Sequence, residues 1–394
     1  MNEIETIFVS LLKEAVFQKE VVEEVMLSPD SIKTLERLSQ KYHCQILICN
    51  ELKKHHVAGV SAEFTATSKA IFGRNHINLL RQSELLKLFQ NAGIPCAVLK
   101  GSSVAMYYPE PLLRVFGDID LLVPEQDYDR AVQLLLGDQE RNENSEMHKF
   151  HYALEYKGMS VEIHKHITEY STEEECLPDV MQSAFDELEV GKIDSFTFPM
   201  LGKKHQAIAL LLHLKRHMID NQTGMRMLLD WLVFADHITV QEWNESIYPG
   251  LKATGVHLLA DALFMLSDQY FGTDSSEKIH SSIPPETISL LMEDFVSIRV
   301  LDSSLRFSGS VATIYIESAG KGKLSKMIAT MNYLARADFK FAKYKITLPV
   351  CWLLVAGRYL YRLATRKSVP LSLARVHQHV SGKEQLFRIL NMKH

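Results

Sequence analysis

The sequence predicts an α+β protein. A small mixed β-sheet core, residues 91–200, is flanked by an N-terminal helical layer, 1–90, and an all-helical C-terminal region, 201–394, with a basic tail from 321. Three observations predict this. Apolar residues before residue 90 recur at helical spacing. Short strand-like runs cluster in the middle of the chain, at 96–99, 117–123, 150–156 and 160–164. From Gln206 onward the apolar pattern is helical again.

The chain is 394 residues long, 46% hydrophobic and 23% charged, which leaves room for two or three domains with ordinary cores. The acidic start Met1-Asn2-Glu3-Ile4-Glu5 lacks the basic and apolar segments of a signal peptide, so a cytoplasmic location is expected. Five scattered cysteines (Cys44, Cys49, Cys96, Cys176, Cys351) form no paired array and read as free thiols. The apolar run at 348–357 contains Pro349 and has half the length of a membrane span. The net charge of −5 hides an asymmetry: residues 321–394 carry 15 Lys/Arg against Asp338 and Glu384, a net +13, leaving −18 on the remainder. Such a tail either packs on the acidic body or faces anions: phosphate, an acidic membrane surface in peripheral contact, or nucleic acid.

The first ninety residues read as four helices, with breaks near 28–30 and 57–60 and a cap at Ser28 or Asp30. No chemistry is evident in them. Gly93 and Pro95 end the last helix before the strand at 96–99. Lys100-Gly101-Ser102-Ser103 then turns into a short helix through Tyr107. Glycine lets the backbone approach phosphate oxygens, and the amides opening a helix favour anions. After the strand at 117–123, a helix at 126–136 is expected to pack on the sheet, followed by a polar connection at 138–146. A hairpin turns at Lys157-Gly158. Residues 206–236 form a helical pair bearing His213, His217, Arg226 and Asp230. A break at Pro249-Gly250, a long helix at 256–271, a loop at 275–285 and a helix at about 286–305 complete the reading.

The chemistry concentrates in Arg114-Val-Phe-Gly-Asp118-Ile-Asp120-Leu-Leu-Val123. In a strand Asp118 and Asp120 point to one face. Two carboxylates about 4 Å apart repel by roughly 4 kcal/mol at an effective dielectric of about 20, unless one protonates or a cation intervenes. An oxygen-ligated Mg²⁺ or Mn²⁺ resolves the conflict. In the hairpin, Glu162 and His164 share a face, and Glu162 is a third carboxylate within reach of such a site.

Leu-Lys-Gly-Ser, Arg-x-x-Gly-Asp-Ile-Asp-Leu-Leu-Val and Val-Glu-Ile-His together resemble the nucleotidyltransferases of the DNA polymerase β superfamily. They are most similar to its largely uncharacterised bacterial branch, with Leu-Lys-Gly, Gly-Asp-Ile-Asp-Leu and Asp/Glu-Leu-His motifs. The resemblance covers about residues 91–170. It implies that Gly101 and Ser102 bind phosphate, with Lys100 or Arg114 adding charge. It also implies that Asp118, Asp120 and Glu162 are the catalytic carboxylates and hold two divalent ions. Two features depart from the pattern: the Ser102–Asp118 interval is longer than usual, and the third carboxylate is Glu rather than Asp. The run Leu-Leu-His-Leu-Lys-x-His followed by Arg-x-x-x-Asp also looks like that branch. His164, His213, His217, Arg226 and Asp230 are candidates for acceptor contacts or support of the site. In the alternative reading, Arg226 and Asp230 are an i,i+4 ion pair.

The expected activity is Mg²⁺-dependent transfer of a nucleotidyl group from a nucleoside triphosphate to a small-molecule, carbohydrate or peptide acceptor. Alternatives are transfer from a nucleotide sugar and modification of transfer RNA. The tail favours nucleic acid, whereas the acidic body and the absence of an RNA-binding motif oppose it.

Overall fold

The computed structural model describes residues 1–19, 27–137, 151–167, 180, 183–219, 223–296, 328, 331–332, 335, 347–364, 382–383 and 385–392. The polar connection at 138–146, the end of the helix expected to reach about 305, Cys176 and most of the basic tail lie outside these residues.

The N-terminal helices are α1 (Glu3–Phe17), α2 (Pro29–Lys41), α3 (Gln45–Lys54) and α4 (Ala62–Asn91). Their starts are written locally. Asn2 and Glu5 form a reciprocal cap on α1, and the Ser28 and Ser61 hydroxyls accept the amides of Ser31 and Phe64. Glu14, buried on α1, pairs with Lys54 and with His55 at 2.8 Å, tying α1 to the end of α3.

The strands are β1 (Ala97–Val98), β2 (Ile119–Leu122), β3 (His151–Tyr156), β4 (Met159–His164), β5 (Glu189–Ile193) and β6 (Phe196–Met200). They form one mixed sheet in the order β3-β4-β2-β1-β6-β5. β2 runs antiparallel to β1 and parallel to β4; β3–β4 and β5–β6 are antiparallel hairpins. Lys157 and Gly158 both have positive φ at the first hairpin's turn, as a tight two-residue connection requires. The β5–β6 hairpin was not anticipated. Its signal was the Asp194-Ser195 turn between two short alternating runs. The four-residue α5 (Ser102–Ala105) follows β1, and α6 (Tyr128–Leu136) packs on β4.

The C-terminal helices are α7 (Lys203–Ile219), α8 (Met225–Asp236), α9 (Tyr248–Ala253), α10 (His257–Leu266), α11 (Pro285–Val296) and α12 (Leu348–Ala364). Pro249 and Gly250 do not break the chain as expected. A wide turn, Trp243–Ile247, absorbs the change of pitch, and Pro249 sits in the opening turn of α9, where its missing N–H costs no hydrogen bond. α12 buries Leu348, Cys351 and Val355 on one side and leaves Val350, Leu353, Leu354 and Tyr361 exposed on the other.

One hydrophobic cluster runs from Phe8 through the sheet to Trp231, Trp243, Phe264 and Met392. Cys44, Cys49, Cys96 and Cys351 are buried and free, and no helix among the described residues is long and apolar enough to cross a membrane.

Candidate active site

Strand register assembles the site. In the parallel β2–β4 pair Asp120 lies opposite Glu162 and Leu122 opposite His164, so Asp120, Glu162 and His164 share one face of the sheet. The antiparallel β3 places His151 opposite His164. The Leu99 amide donates to the Asp120 carbonyl at 3.1 Å, which brings the next residue, Lys100, over the Asp120 carboxylate.

Lys100 Nζ lies 3.1 Å from Asp120 Oδ1. His164 Nε2 lies 3.0 Å from the same oxygen and 3.2 Å from Glu162 Oε2. Burial acts to raise the Asp120 pKa, but Lys100 and His164 hold it far below the usual carboxylate range. Glu162 is also lowered, chiefly by its hydrogen bond to His164 and against burial and the Asp120 charge. Burial alone would depress His164, yet its two carboxylate partners overcome that and raise it. Both acids therefore stay ionised at neutral pH.

The charge conflict expected between Asp118 and Asp120 takes a different form here. Asp118 precedes β2 and is exposed, whereas Asp120 is buried and carries two cationic partners. The two carboxylates locked side by side are Asp120 and Glu162. Asp118 stands at the open rim, where its carbonyl faces the Gly101 turn: a Cβ on Gly101 would lie 3.9 Å from that oxygen. Gly101 has φ +63°, a conformation that L side chains rarely adopt.

Two of the residues expected to meet phosphate are engaged elsewhere. The Ser102 hydroxyl is buried and donates to Gln82 Oε1 at 2.8 Å, so this turn offers an anion its backbone amides rather than that hydroxyl. The Arg114 guanidinium is buried and grips Asp230 with two parallel bonds, Nε–Oδ1 at 2.7 Å and Nη2–Oδ2 at 2.6 Å. Tyr108 adds its hydroxyl to Asp230 Oδ1 at 2.8 Å. The i,i+4 pair between Arg226 and Asp230 does not form, because a better-aligned fork reaches Asp230 from the loop before β2.

α4 holds that loop. Asn75, fully buried, donates to the carbonyls of Leu112 and Arg114 at 2.8 and 2.7 Å and accepts the Phe116 amide at 3.0 Å. Asn78 reaches the Gly117 carbonyl at 3.5 Å, and Gln82 takes Ser102. Asn75, Asn78 and Gln82 fall at i, i+3 and i+7, one face of a helix. That polar stripe was the signal that apolar periodicity alone passed over. His151 was likewise missed; only the hairpin register shows it beside His164, with ring centroids 5.0 Å apart.

His213 and His217 lie on α7 with ring centroids 4.3 Å apart. Burial, then the Lys100 and His217 charges, push His213 well below its usual value, so its ring is neutral. Two turns earlier on the same helix, Gln206 donates to the Leu99 carbonyl and to Ser103 Oγ at 3.3 Å, so α7 lies against the turn that carries Lys100. The Asp120 and Arg226 charges act on His213 as well. The two histidines join no three-ligand group among the described residues.

Asp120 and Glu162 face each other across the β2–β4 pair, with Asp118 two residues from Asp120, and carboxylate oxygens are the donors that hard divalent cations take. His151, Glu162 and His164, two imidazoles and a carboxylate, also bring one ligand atom each within 4.8 Å of the others. No curated protein and no solved structure matches the chain. A family model described as "Uncharacterised nucleotidyltransferase" matches residues 29–272, which takes in α2 to α4, the whole sheet and the helices through α10. The chain belongs to this nucleotidyltransferase family.

Proposed function

We propose that the protein moves a nucleoside monophosphate group from a nucleoside triphosphate to a hydroxyl or phosphate oxygen of a small-molecule, carbohydrate or peptide acceptor. The acceptor oxygen forms a bond to the α-phosphorus, the bond from that phosphorus to the bridging oxygen breaks, and pyrophosphate leaves. The acceptor's proton passes to solvent. The observation that carries this reading is the in-register placement of Asp120 and Glu162 on adjacent parallel strands, beside the Gly101 turn.

Asp118, Asp120 and Glu162 are the residues to hold two Mg²⁺ or Mn²⁺ ions. Such ions, when bound, lower the pKa of the attacking hydroxyl and neutralise the phosphates. The chain's own residues prepare the place. Lys100 and His164 keep Asp120 ionised, and Gly101 lets the backbone come close to phosphate oxygens. The long Tyr107–Pro111 loop fills the extended interval between Ser102 and Asp118.

Incubating the chain with Mg²⁺ and each nucleoside triphosphate or nucleotide sugar, with candidate acceptors, and weighing the products tests the reading. An adduct of nucleoside monophosphate mass, lost in Glu162→Gln, supports it. Adducts of sugar or sugar phosphate mass would move the assignment to nucleotide-sugar transfer. Failure to bind any Mg²⁺-nucleotide in calorimetry would remove it.

A further inference from the structure

Among the described residues Arg226 has no counterion in hydrogen-bond or ion-pair contact. It stands second in α8, half-buried. Its natural partner one turn along, Asp230, is consumed. Asp230 Oδ1 accepts from Arg114 Nε at 2.7 Å and from Tyr108 at 2.8 Å, and Oδ2 accepts from Arg114 Nη2 at 2.6 Å.

Three influences oppose a cation here. Burial strips water from the guanidinium, and the Arg114 charge repels it; Asp230 offsets these only in part. The start of α8 adds the partial positive charge of a helix N-terminus. A guanidinium carries five N–H donors that cannot be discarded by deprotonation near neutral pH. Left with so few acceptors inside a protein, it is a group waiting for an anion.

Its position says which anion. Gln206 on α7 donates to the Leu99 carbonyl and to Ser103 Oγ, both at 3.3 Å, and α8 packs on α7. The helix pair that carries Arg226 therefore lies against the Lys100–Gly101 turn beside Asp120, and the charges of Lys100, Asp120 and Arg226 all act on His213 of α7. His213 is held neutral and does not compete for an anion's charge. Burial, then the Arg226 and Lys41 charges, push His43 below its usual value, so that ring is also neutral and Lys41 is a second positive charge on that side.

We propose that Arg226 is a binding residue for an oxyanion, a phosphate or carboxylate, carried by a substrate held at the Asp120–Glu162 site. This rests on the nucleotidyltransferase reading for its location, but the oxyanion is read from Arg226 itself. Two sources share that chemistry: the polyphosphate of the nucleotide, and an acidic group on the acceptor.

The test uses the full chain with inorganic phosphate and Mg²⁺-ATP as probes. Thermal melting is followed with phosphate against chloride at equal ionic strength, and Mg²⁺-ATP affinity by calorimetry. Phosphate is expected to raise the melting temperature of the parent chain, and Arg226→Gln to abolish the rise. Without phosphate, Arg226→Gln is expected to melt at the same temperature or higher, since an unpaired cation has been removed; a packing role would lower it. Arg226→Lys should retain part of the phosphate response.

If Arg226→Gln weakens Mg²⁺-ATP binding tenfold or more, the oxyanion is the nucleotide's; if ATP binding holds while the phosphate response is lost, it is the acceptor's. No phosphate response in the parent chain, or an equal one in Arg226→Gln, overturns the proposal. Loss of the response in Arg226→Gln by a chain that binds no nucleotide leaves the oxyanion site standing and removes the nucleotidyltransferase reading instead.

Discussion

At the scale of single residues, Asp118 and Asp120 separate into two kinds of carboxylate. Asp118 is exposed, so Asp118→Asn should stop turnover and change stability by less than about 0.5 kcal/mol. Asp120 is buried with Lys100 and His164 on one oxygen. Asp120→Asn should stop turnover and also destabilise by about 1–3 kcal/mol, because two cationic donors lose their charged acceptor. Urea unfolding beside a turnover assay distinguishes the two. Matched effects on stability would show that both aspartates are equally buried in partnership. His164 gives the site a pH signature. Its pKa is raised in the folded chain, so its contribution to stability is complete below its unfolded value of about 6.5 and disappears as pH rises through the folded value. In metal-free buffer the loss of melting temperature caused by His164→Gln should therefore be larger at pH 6 than at pH 8; an equal loss at both would remove the pH signature.

At the scale of elements, α4 is the support for the loop that carries the site. Asn75 makes three buried hydrogen bonds to that loop. Asn75→Ala should cost about 2–4 kcal/mol in urea unfolding and lower kcat, although Asn75 makes no hydrogen bond to any carboxylate of the site. A variant with parental stability and kcat would mean the loop holds itself. The elements also show what the sequence made legible. The four N-terminal helices, the Lys157-Gly158 hairpin and the α7–α8 pair follow from caps, periodicity and turn residues, which act over a few neighbours. Glu162 and His164 sharing a face was also readable, because strand alternation is local; that Asp120 lies opposite Glu162 comes from the β2–β4 pairing across 42 positions. The Arg114–Asp230 fork and the Gln82–Ser102 bond were not. They join residues 116 and 20 positions apart, and local pattern favoured Asp230 with Arg226 and left Ser102 open.

At the scale of the whole molecule, the Arg114–Asp230 pair fastens the loop before β2 to the C-terminal helices. Asp230→Asn should destabilise the chain by about 3–5 kcal/mol by leaving a buried guanidinium without its counter-charge. The double variant Arg114→Met, Asp230→Leu should lose much less than the sum of the single changes. Additive losses in a denaturation cycle would argue against the pair acting as a unit. The same connectedness bears on how the chain can be divided. The α4 side chains reach forward from residues 75 to 82 to hold atoms between 102 and 117. A shortened enzyme beginning at residue 91 would keep every carboxylate and lose the amides that set their loop. Its recombinant minimal form therefore starts with the helices that bear no chemistry of their own.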